Sequence, residues 1–142
     1  MEIHNLTGSV SESDLNWLLA MLVRPGSSVK QITVCLVPGR VLVNLSGDIP
    51  LIGNRDIHAE LVPSVRGDKV HLTLTHLDIP LVPRALVCHW IASQAAVDYL
   101  SSAGNDLVVD VNVLLKRVRL TARITGIEVQ QGFVLLSANH AE

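Results

Sequence analysis

The chain has 142 residues, of which 49% are hydrophobic and 17% are charged. This length predicts a single domain over residues 1–142 with a substantial core, and so apolar a composition excludes an intrinsically disordered chain. Only 3% of the residues are aromatic and the formal net charge is -2, so no nucleic-acid partner is predicted, because stacking platforms and a basic surface are both missing.

The first predicted element is an amphipathic helix over residues 12–23. Ser11 and Asp14 have the spacing of an N-terminal cap, and Pro25 follows the end of the pattern. Between these signals, apolar residues recur at helical spacing: Leu15, Leu18, Leu19 and Leu22, in a stripe widened by Trp17 and Met21. We expect this stripe to face the concave side of a sheet.

Two β-hairpins are predicted next, because the apolar period changes to two. The first hairpin covers 29–46 and turns at Pro38-Gly39. The second covers 57–75 and has a longer turn at 64–68. These segments supply four strands between the first helix and the second.

A second helix is expected to begin at Pro83, since proline is tolerated in a first helical turn, and to end near Gly104. Its apolar residues include Leu86, Trp90, Ile91 and Val97. Three strands follow, at about 107–115, 118–129 and 133–138. The order of helix, four strands, helix and three strands predicts the α+β class, with two helices packed on a long, curved, mainly antiparallel sheet.

Several strand positions that alternation assigns to the outer face are also apolar. They are Val37, Leu42, Val62, Leu77, Val108, Leu114, Val134 and Leu136. A half-buried antiparallel sheet normally has one polar face. Parts of this sheet therefore need cover on both faces, from a well-packed interior, a second copy of the chain or an apolar ligand.

Four segments of the sequence carry a family resemblance: Asp14-Leu15-Asn16 in the first helix, residues 32–41 in the first hairpin, the Gly-Asp-Ile sequence at 47–49, and the strand-rich tail around the second helix. In their order and their general residue pattern, these segments resemble the bacterial LmeA-like family. That family is similar in architecture to tubular lipid-binding proteins, in which a long curved antiparallel sheet wraps a helix. The resemblance implies a groove that holds acyl chains.

The apolar pattern and the resemblance both favour a protein that binds a lipid or a fatty-acid-like ligand between its helices and its sheet. Burying an acyl chain gains about 0.8 kcal/mol per CH₂ and needs an aliphatic lining. The side chains predicted to line the groove are Leu15, Leu18, Leu19, Leu22, Leu86, Trp90, Ile91 and Val97. The alternative is a homodimer or structural module whose apolar surface is a protein interface.

Basic residues cluster in one place, at Lys116, Arg117, Arg119 and Arg123. The three arginines share one face of a predicted strand, where they could bind a phosphate headgroup or lie on an anionic membrane. The alternative is a solvated sheet face whose charges hinder association between sheet edges.

No sequence motif for catalysis is present: the nucleophile elbow, the phosphate loop, the zinc-protease helix and the dinucleotide fingerprint are all missing. No enzyme and no cofactor are therefore predicted. His58, His71 and Glu60 would be brought close by the second hairpin and could form a metal site, but a surface pair is the preferred interpretation. Asp106 and Asp110 would lie roughly 13 Å apart on a strand, too far for a carboxylate pair.

Cys35 and Cys88 have no disulfide or metal-ligand spacing, and both are expected to be small buried apolar residues. No segment reaches about 18 uncharged apolar residues, and residues 1–10 do not have the pattern of a signal peptide. The sequence as written predicts a cytoplasmic protein, or a cell-envelope protein if an upstream signal was removed, since it does not show whether Met1 is the native start.

Overall fold

The computed structural model describes residues 5–23, 26–49, 53–79, 82–95, 97–113 and 122–140. Most of these residues are in strands, and all the described strand pairs are antiparallel. The elements in chain order are β1 Asn5–Ser11, α1 Glu12–Leu22, β2 Val29–Val37, β3 Arg40–Ile49, β4 Gly53–Arg66, β5 Lys69–Leu77, α2 Arg84–Ala95, β6 Leu100–Ala103, β7 Asp106–Val109, β8 Ala122–Gln130 and β9 Phe133–His140. The mainly antiparallel character predicted from the sequence is confirmed.

The strands form two sheets. The large sheet has six strands in the order β2-β3-β4-β5-β7-β6, and the small sheet has three in the order β1-β9-β8. The prediction of one long sheet is wrong in this respect, because β8 and β9 pair with β1 instead of extending the large sheet. β1 was not predicted, since the segment Asn5–Ser11 is short and mostly polar.

Both predicted hairpins form around glycines. Gly39 turns the chain between β2 and β3 with φ +77°, and Gly67 turns it between β4 and β5 with φ +66°. This left-handed backbone conformation is open to glycine at no steric cost. Near the end of β3, Gly47 lies so close to the start of β2 that a Cβ atom would be 2.4 Å from the carbonyl oxygen of Ser28.

The second helix and the strand after it are shorter than predicted. α2 ends at Ala95, and Gly104 (φ +57°) belongs to the turn of a β6–β7 hairpin rather than to a helix end. β7 ends at Val109, and residues 111–113 are helical. A carboxylate oxygen of Asp110 accepts the Val113 N–H at 3.4 Å, so Asp110 acts as a cap that stops the strand.

Two apolar clusters hold the described elements together. The main cluster lies between α2 and one face of the large sheet, and includes Leu45, Ile57, Leu74 and Trp90. The second cluster lies where the small sheet meets the β2–β3 turn, around Leu36, which is fully buried.

Backbone hydrogen bonds join the two sheets at the second cluster. The Gly39 N–H donates to the Val129 carbonyl at 2.9 Å, and the Gly132 N–H donates to the Leu36 carbonyl at 3.1 Å. The Glu12 N–H donates to the Gly132 carbonyl at 2.9 Å. The β8–β9 turn therefore fixes both the end of β2 and the start of α1.

Candidate functional site

α1 begins at a capped N-terminus. Ser11 Oγ accepts the Asp14 N–H at 3.1 Å, as the sequence predicts. Glu12 and Asp14 place negative charge in the first turn, where the helix dipole favours it. The helix ends at Leu22.

α1 lies along the outer edge of β2, to which polar side chains attach it. The Asn16 side-chain amide donates to the Val34 carbonyl at 3.0 Å, and its oxygen accepts the Val34 N–H at 2.7 Å. A carboxylate oxygen of Glu12, one helical turn earlier, accepts the Leu36 N–H at 2.6 Å. These side chains bind backbone groups that a further strand would otherwise pair with, so they protect this edge of the sheet.

α2 packs against the apolar face of the large sheet. Val87, Cys88 and Trp90 are buried there, and Trp90 is only 5% exposed. Burial raises the pKa of the Cys88 thiol to about 11, and the negative charge of Asp106 adds to this effect. Cys88 is therefore buried, as the sequence predicts, and its thiol stays protonated. The same prediction is wrong for Cys35, which is exposed.

An apolar cleft lies between the two helices, over the start of β2, and we call it the α1–α2 cleft. Its volume is about 70 Å³. Its lining residues are Leu19, Val23, Ser27, Val29, Ile32, Leu45, Ile91, Gln94, Ala95 and Leu100. Residues from both helices, from strands and from the loop before β2 therefore meet at one aliphatic surface.

Some of the predicted groove residues lie at or near this cleft. Leu19 and Ile91 line it from opposite sides. Trp90 lies in the main cluster, whereas Leu15 packs in the second cluster against the small sheet. The structure thus divides the predicted set between the cleft and two packed clusters.

Three other residues predicted to line the groove, Leu18, Leu86 and Val97, are not among the residues that line the α1–α2 cleft. Leu18 is 48% exposed, and Leu86 is also exposed, at the first turn of α2. Val97 is half-buried beyond the end of α2, because that helix is shorter than predicted. The Leu22 side chain lies outside the described part of the chain. The expectation that the whole leucine stripe of α1 faces the sheet is wrong for Leu18.

Three large apolar side chains on α1 point away from the protein, and we call them the α1 outer face. Trp17, Leu18 and Met21 are 64%, 48% and 63% exposed. At about 100° per residue, they lie roughly 100–200° around the helix from Asn16, which contacts β2. The attachment of Asn16 and Glu12 to the strand therefore determines which apolar residues face solvent. The sequence signal for this orientation was the polar pair at positions 12 and 16.

A polar cluster lies on the opposite face of the large sheet, around the buried residue Asp106. Its Oδ2 accepts hydrogen bonds from His71 Nδ1 at 3.0 Å and from Arg66 Nη1 at 3.3 Å. Hydrogen bonds from His71 and Thr73, together with the Arg66 charge, hold the pKa of Asp106 below its ordinary value. The cluster joins β4, β5 and β7.

Ser64 extends this cluster into a row of serine, histidine and aspartate across β4, β5 and β7. Ser64 is directly opposite His71 in the β4–β5 register. Its buried hydroxyl forms no hydrogen bond with any described residue. A serine nucleophile is normally activated by a hydrogen bond to its base, and no such bond joins Ser64 to His71.

The predicted proximity of His58 and His71 is wrong. The β4–β5 register places Ser64 opposite His71, and His58 lies six residues earlier on β4, roughly 20 Å away at ~3.3 Å per residue. The His58 ring instead hydrogen-bonds to Asn44. Across the described ranges, no three His, Cys, Asp or Glu side chains are arranged to hold a metal ion.

The predicted basic stripe falls largely outside the described residues. Arg117 and Arg119 belong to the 114–121 gap, and Arg123 is described only as a backbone position in β8. Binding of the basic stripe to an anionic surface stays a prediction from the sequence.

Among the residues that the structure describes, no helix is long and apolar enough to cross a membrane. No protein-family model, curated protein or solved structure matches the chain. A functional assignment therefore depends on the geometry and chemistry of the site itself.

Proposed function

We propose that the chain binds an apolar chain, such as the acyl tail of a lipid or fatty acid, in the α1–α2 cleft. The observation that carries this proposal is the aliphatic lining, to which Leu19 and Val23 contribute on one side and Ile91 on the other. An acyl chain gains free energy from such a lining without needing a precise polar partner. The resemblance to the LmeA-like family supports the same ligand class.

The polar side chains in the lining favour a ligand without a specific headgroup. Ser27 Oγ donates to the Val29 carbonyl at 2.7 Å, and Gln94 Oε1 accepts the Ser28 N–H at 3.1 Å. Both side chains thus already bind neighbouring backbone groups. We expect acyl ligands with different headgroups to bind with similar affinity.

The size of the cleft sets a condition on binding. Its volume of about 70 Å³ is well below the roughly 300–1,000 Å³ of typical ligand pockets. In this conformation it admits only the end of an acyl chain. Asn16 and Glu12 hold the N-terminal half of α1 on β2, whereas the cleft lies beside the C-terminal half, so we propose that the C-terminal half moves outward when a longer chain binds.

Two adjacent substitutions on α1 test this proposal. Leu19→Trp places a larger side chain in the cleft, whereas Leu18→Trp places the same side chain on the α1 outer face. We expect Leu19→Trp to weaken binding of a fluorescent fatty-acid analogue in buffer by about tenfold or more, because the ring occupies the ligand's position. Leu18→Trp should bind like the wild type. Equal affinities for the two variants, or no binding by the wild type, would contradict the proposal.

The alternative function is an interaction module whose apolar surface pairs two copies of the chain. The exposed Trp17, Leu18 and Met21 favour this alternative, because such surfaces often mark association sites. Sedimentation of the ligand-free protein separates the two proposals: a dimer that Trp17→Ser dissociates supports the interaction module, and a monomer that takes up fatty acid supports the binding protein.

A further inference from the structure

The apolar side chains of the α1 outer face remain in contact with water in the folded chain, so they add little to its stability. Trp17 and Met21 are one helical turn apart and each is more than 60% exposed, and Leu18 adjoins both. The same helix turns Leu19 toward the α1–α2 cleft. One short helix thus has an apolar side next to the candidate ligand and a second apolar side next to solvent.

The charge on α1 distinguishes between lipid surfaces. The helix contains Glu12 and Asp14 and no lysine or arginine. It therefore has no cation with which to attract an anionic headgroup, and the exposed carboxylate of Asp14 opposes one, whereas Glu12 is bonded to β2. Tryptophan is favoured at the boundary between headgroups and acyl chains, where its ring is apolar and its N–H can reach water.

We propose that the α1 outer face docks the chain on a neutral, zwitterionic lipid surface. At about 1.5 Å per residue, α1 is roughly 16 Å long, which suits a helix lying in the plane of the headgroups with Trp17, Leu18 and Met21 beneath it. This inference deepens the proposed function and rests on it, because a protein that carries acyl chains collects them from an apolar phase. Docking places the α1–α2 cleft beside that phase.

The test measures binding to vesicles of pure dioleoylphosphatidylcholine. The double variant Trp17→Ser, Met21→Ser removes the two most exposed apolar side chains of α1. We expect it to lower the partition coefficient in co-sedimentation by about tenfold or more, since each side chain contributes apolar area. The matched control is Phe133→Ser, which removes an aromatic side chain, 37% exposed, at the start of β9. This control should bind like the wild type.

Intrinsic fluorescence supplies a second measurement, because the chain has two tryptophans in opposite environments. Trp17 is exposed and Trp90 is buried. Adding the vesicles should shift the emission of the wild type to shorter wavelength and protect Trp17 from iodide. The double variant retains only Trp90, so its unchanged emission verifies that the core is folded.

Four outcomes would overturn the inference. They are no binding of the wild type to phosphatidylcholine vesicles, equal binding by the double variant, binding only when dioleoylphosphatidylglycerol is present, and a dimer in solution that the double variant dissociates. The third outcome would indicate that the predicted basic stripe binds the membrane, and the fourth that the α1 outer face binds a second copy of the chain. Fatty-acid uptake in buffer without vesicles is scored separately, so failure of docking is distinguishable from failure of the α1–α2 cleft.

Discussion

The two edges of the large sheet, at β2 and at the β6–β7 hairpin, are covered by different kinds of contact. At the β2 end, the side chains of Asn16 and Glu12 attach α1 by hydrogen bonds to backbone groups of β2, and the largest apolar side chains of α1 face outward. At the other end, the β6–β7 hairpin continues the sheet and α2 buries Trp90 beneath it. Apolar packing thus dominates one end, and polar side-chain contacts dominate the other.

This difference separates a scaffold from an interaction element. The free energy of unfolding should depend strongly on the α2 end, because buried aromatic and aliphatic contacts are lost there on substitution. Substitutions on the α1 outer face should change binding with little effect on stability. Three tests, with expected effects from largest to smallest, examine this difference.

The largest expected effect comes from comparing the two tryptophans. Trp90→Ala should lower the free energy of unfolding by about 3–5 kcal/mol, because it removes a buried ring and leaves a cavity. Trp17→Ala should change it by no more than about 0.5 kcal/mol, since that ring is mostly exposed. Urea denaturation followed by circular dichroism measures both. Comparable losses in the two variants would end the distinction between the helices.

The second effect concerns Asp106, which joins the β6–β7 hairpin to β5 and β4. Asp106→Asn should lower the free energy of unfolding at neutral pH by about 1.5–3 kcal/mol, because hydrogen bonds from His71 and Arg66 lose a charged acceptor. The pKa of Asp106 is lowered in the folded state. Its contribution is therefore complete above its ordinary pKa and is lost as the pH falls through the folded value.

Denaturation of the wild type and of Asp106→Asn over a series of pH values checks this. The difference between them should shrink as the pH falls below the ordinary range of an aspartate. The control is Asp56→Asn, an exposed carboxylate that accepts a hydrogen bond from Ser46, and it should differ little from the wild type at every pH. A gap between Asp106→Asn and the wild type that is independent of pH would rule out a role for the charge.

The third test concerns Asn16, where the expected loss of stability is smaller than at Trp90 or Asp106. Asn16→Ala should cost about 1–2 kcal/mol, because Val34 loses two hydrogen bonds at a partly buried edge that water reaches. The exposed edge of β2 should then promote self-association, which light scattering detects. Ser13→Ala, at an exposed position of α1, is the control and should stay as the wild type. Loss of stability without any association would show that α1 does not guard the edge.

The sequence predicts those features that depend on local signals. The Ser11 cap and the apolar period give α1, and the alternation around Gly39 and Gly67 gives both hairpins. The predicted end of α2 near Gly104 is wrong, because a glycine at a helix end and a glycine in a hairpin turn look alike in sequence. Strand β1 carries too few apolar residues to be recognised without its partner β9.

The candidate site was only partly predictable, because contacts between distant segments determine it. Leu19 and Ile91 follow from the helical periods, but the strand residues Ile32 and Leu45 enter the cleft only through the sheet register. The apolar stripe of α1 covers more than half of the helix, so hydrophobicity alone does not reveal which side packs. The hydrogen bonds of Asn16 to β2 decide that orientation.

The pairing of β1 with β9 has a consequence for the order of events during folding. Asn5 pairs with Asn139, whereas β2 to β5 pair with their neighbours along the chain. Successive hairpins can assemble those four strands early, but β1 has no partner until β9 has been synthesised. α1 follows β1 directly, and its first residue is hydrogen-bonded to the β8–β9 turn. The helix that carries the exposed tryptophan therefore completes the hydrogen bond at its first residue only after the last strand has formed.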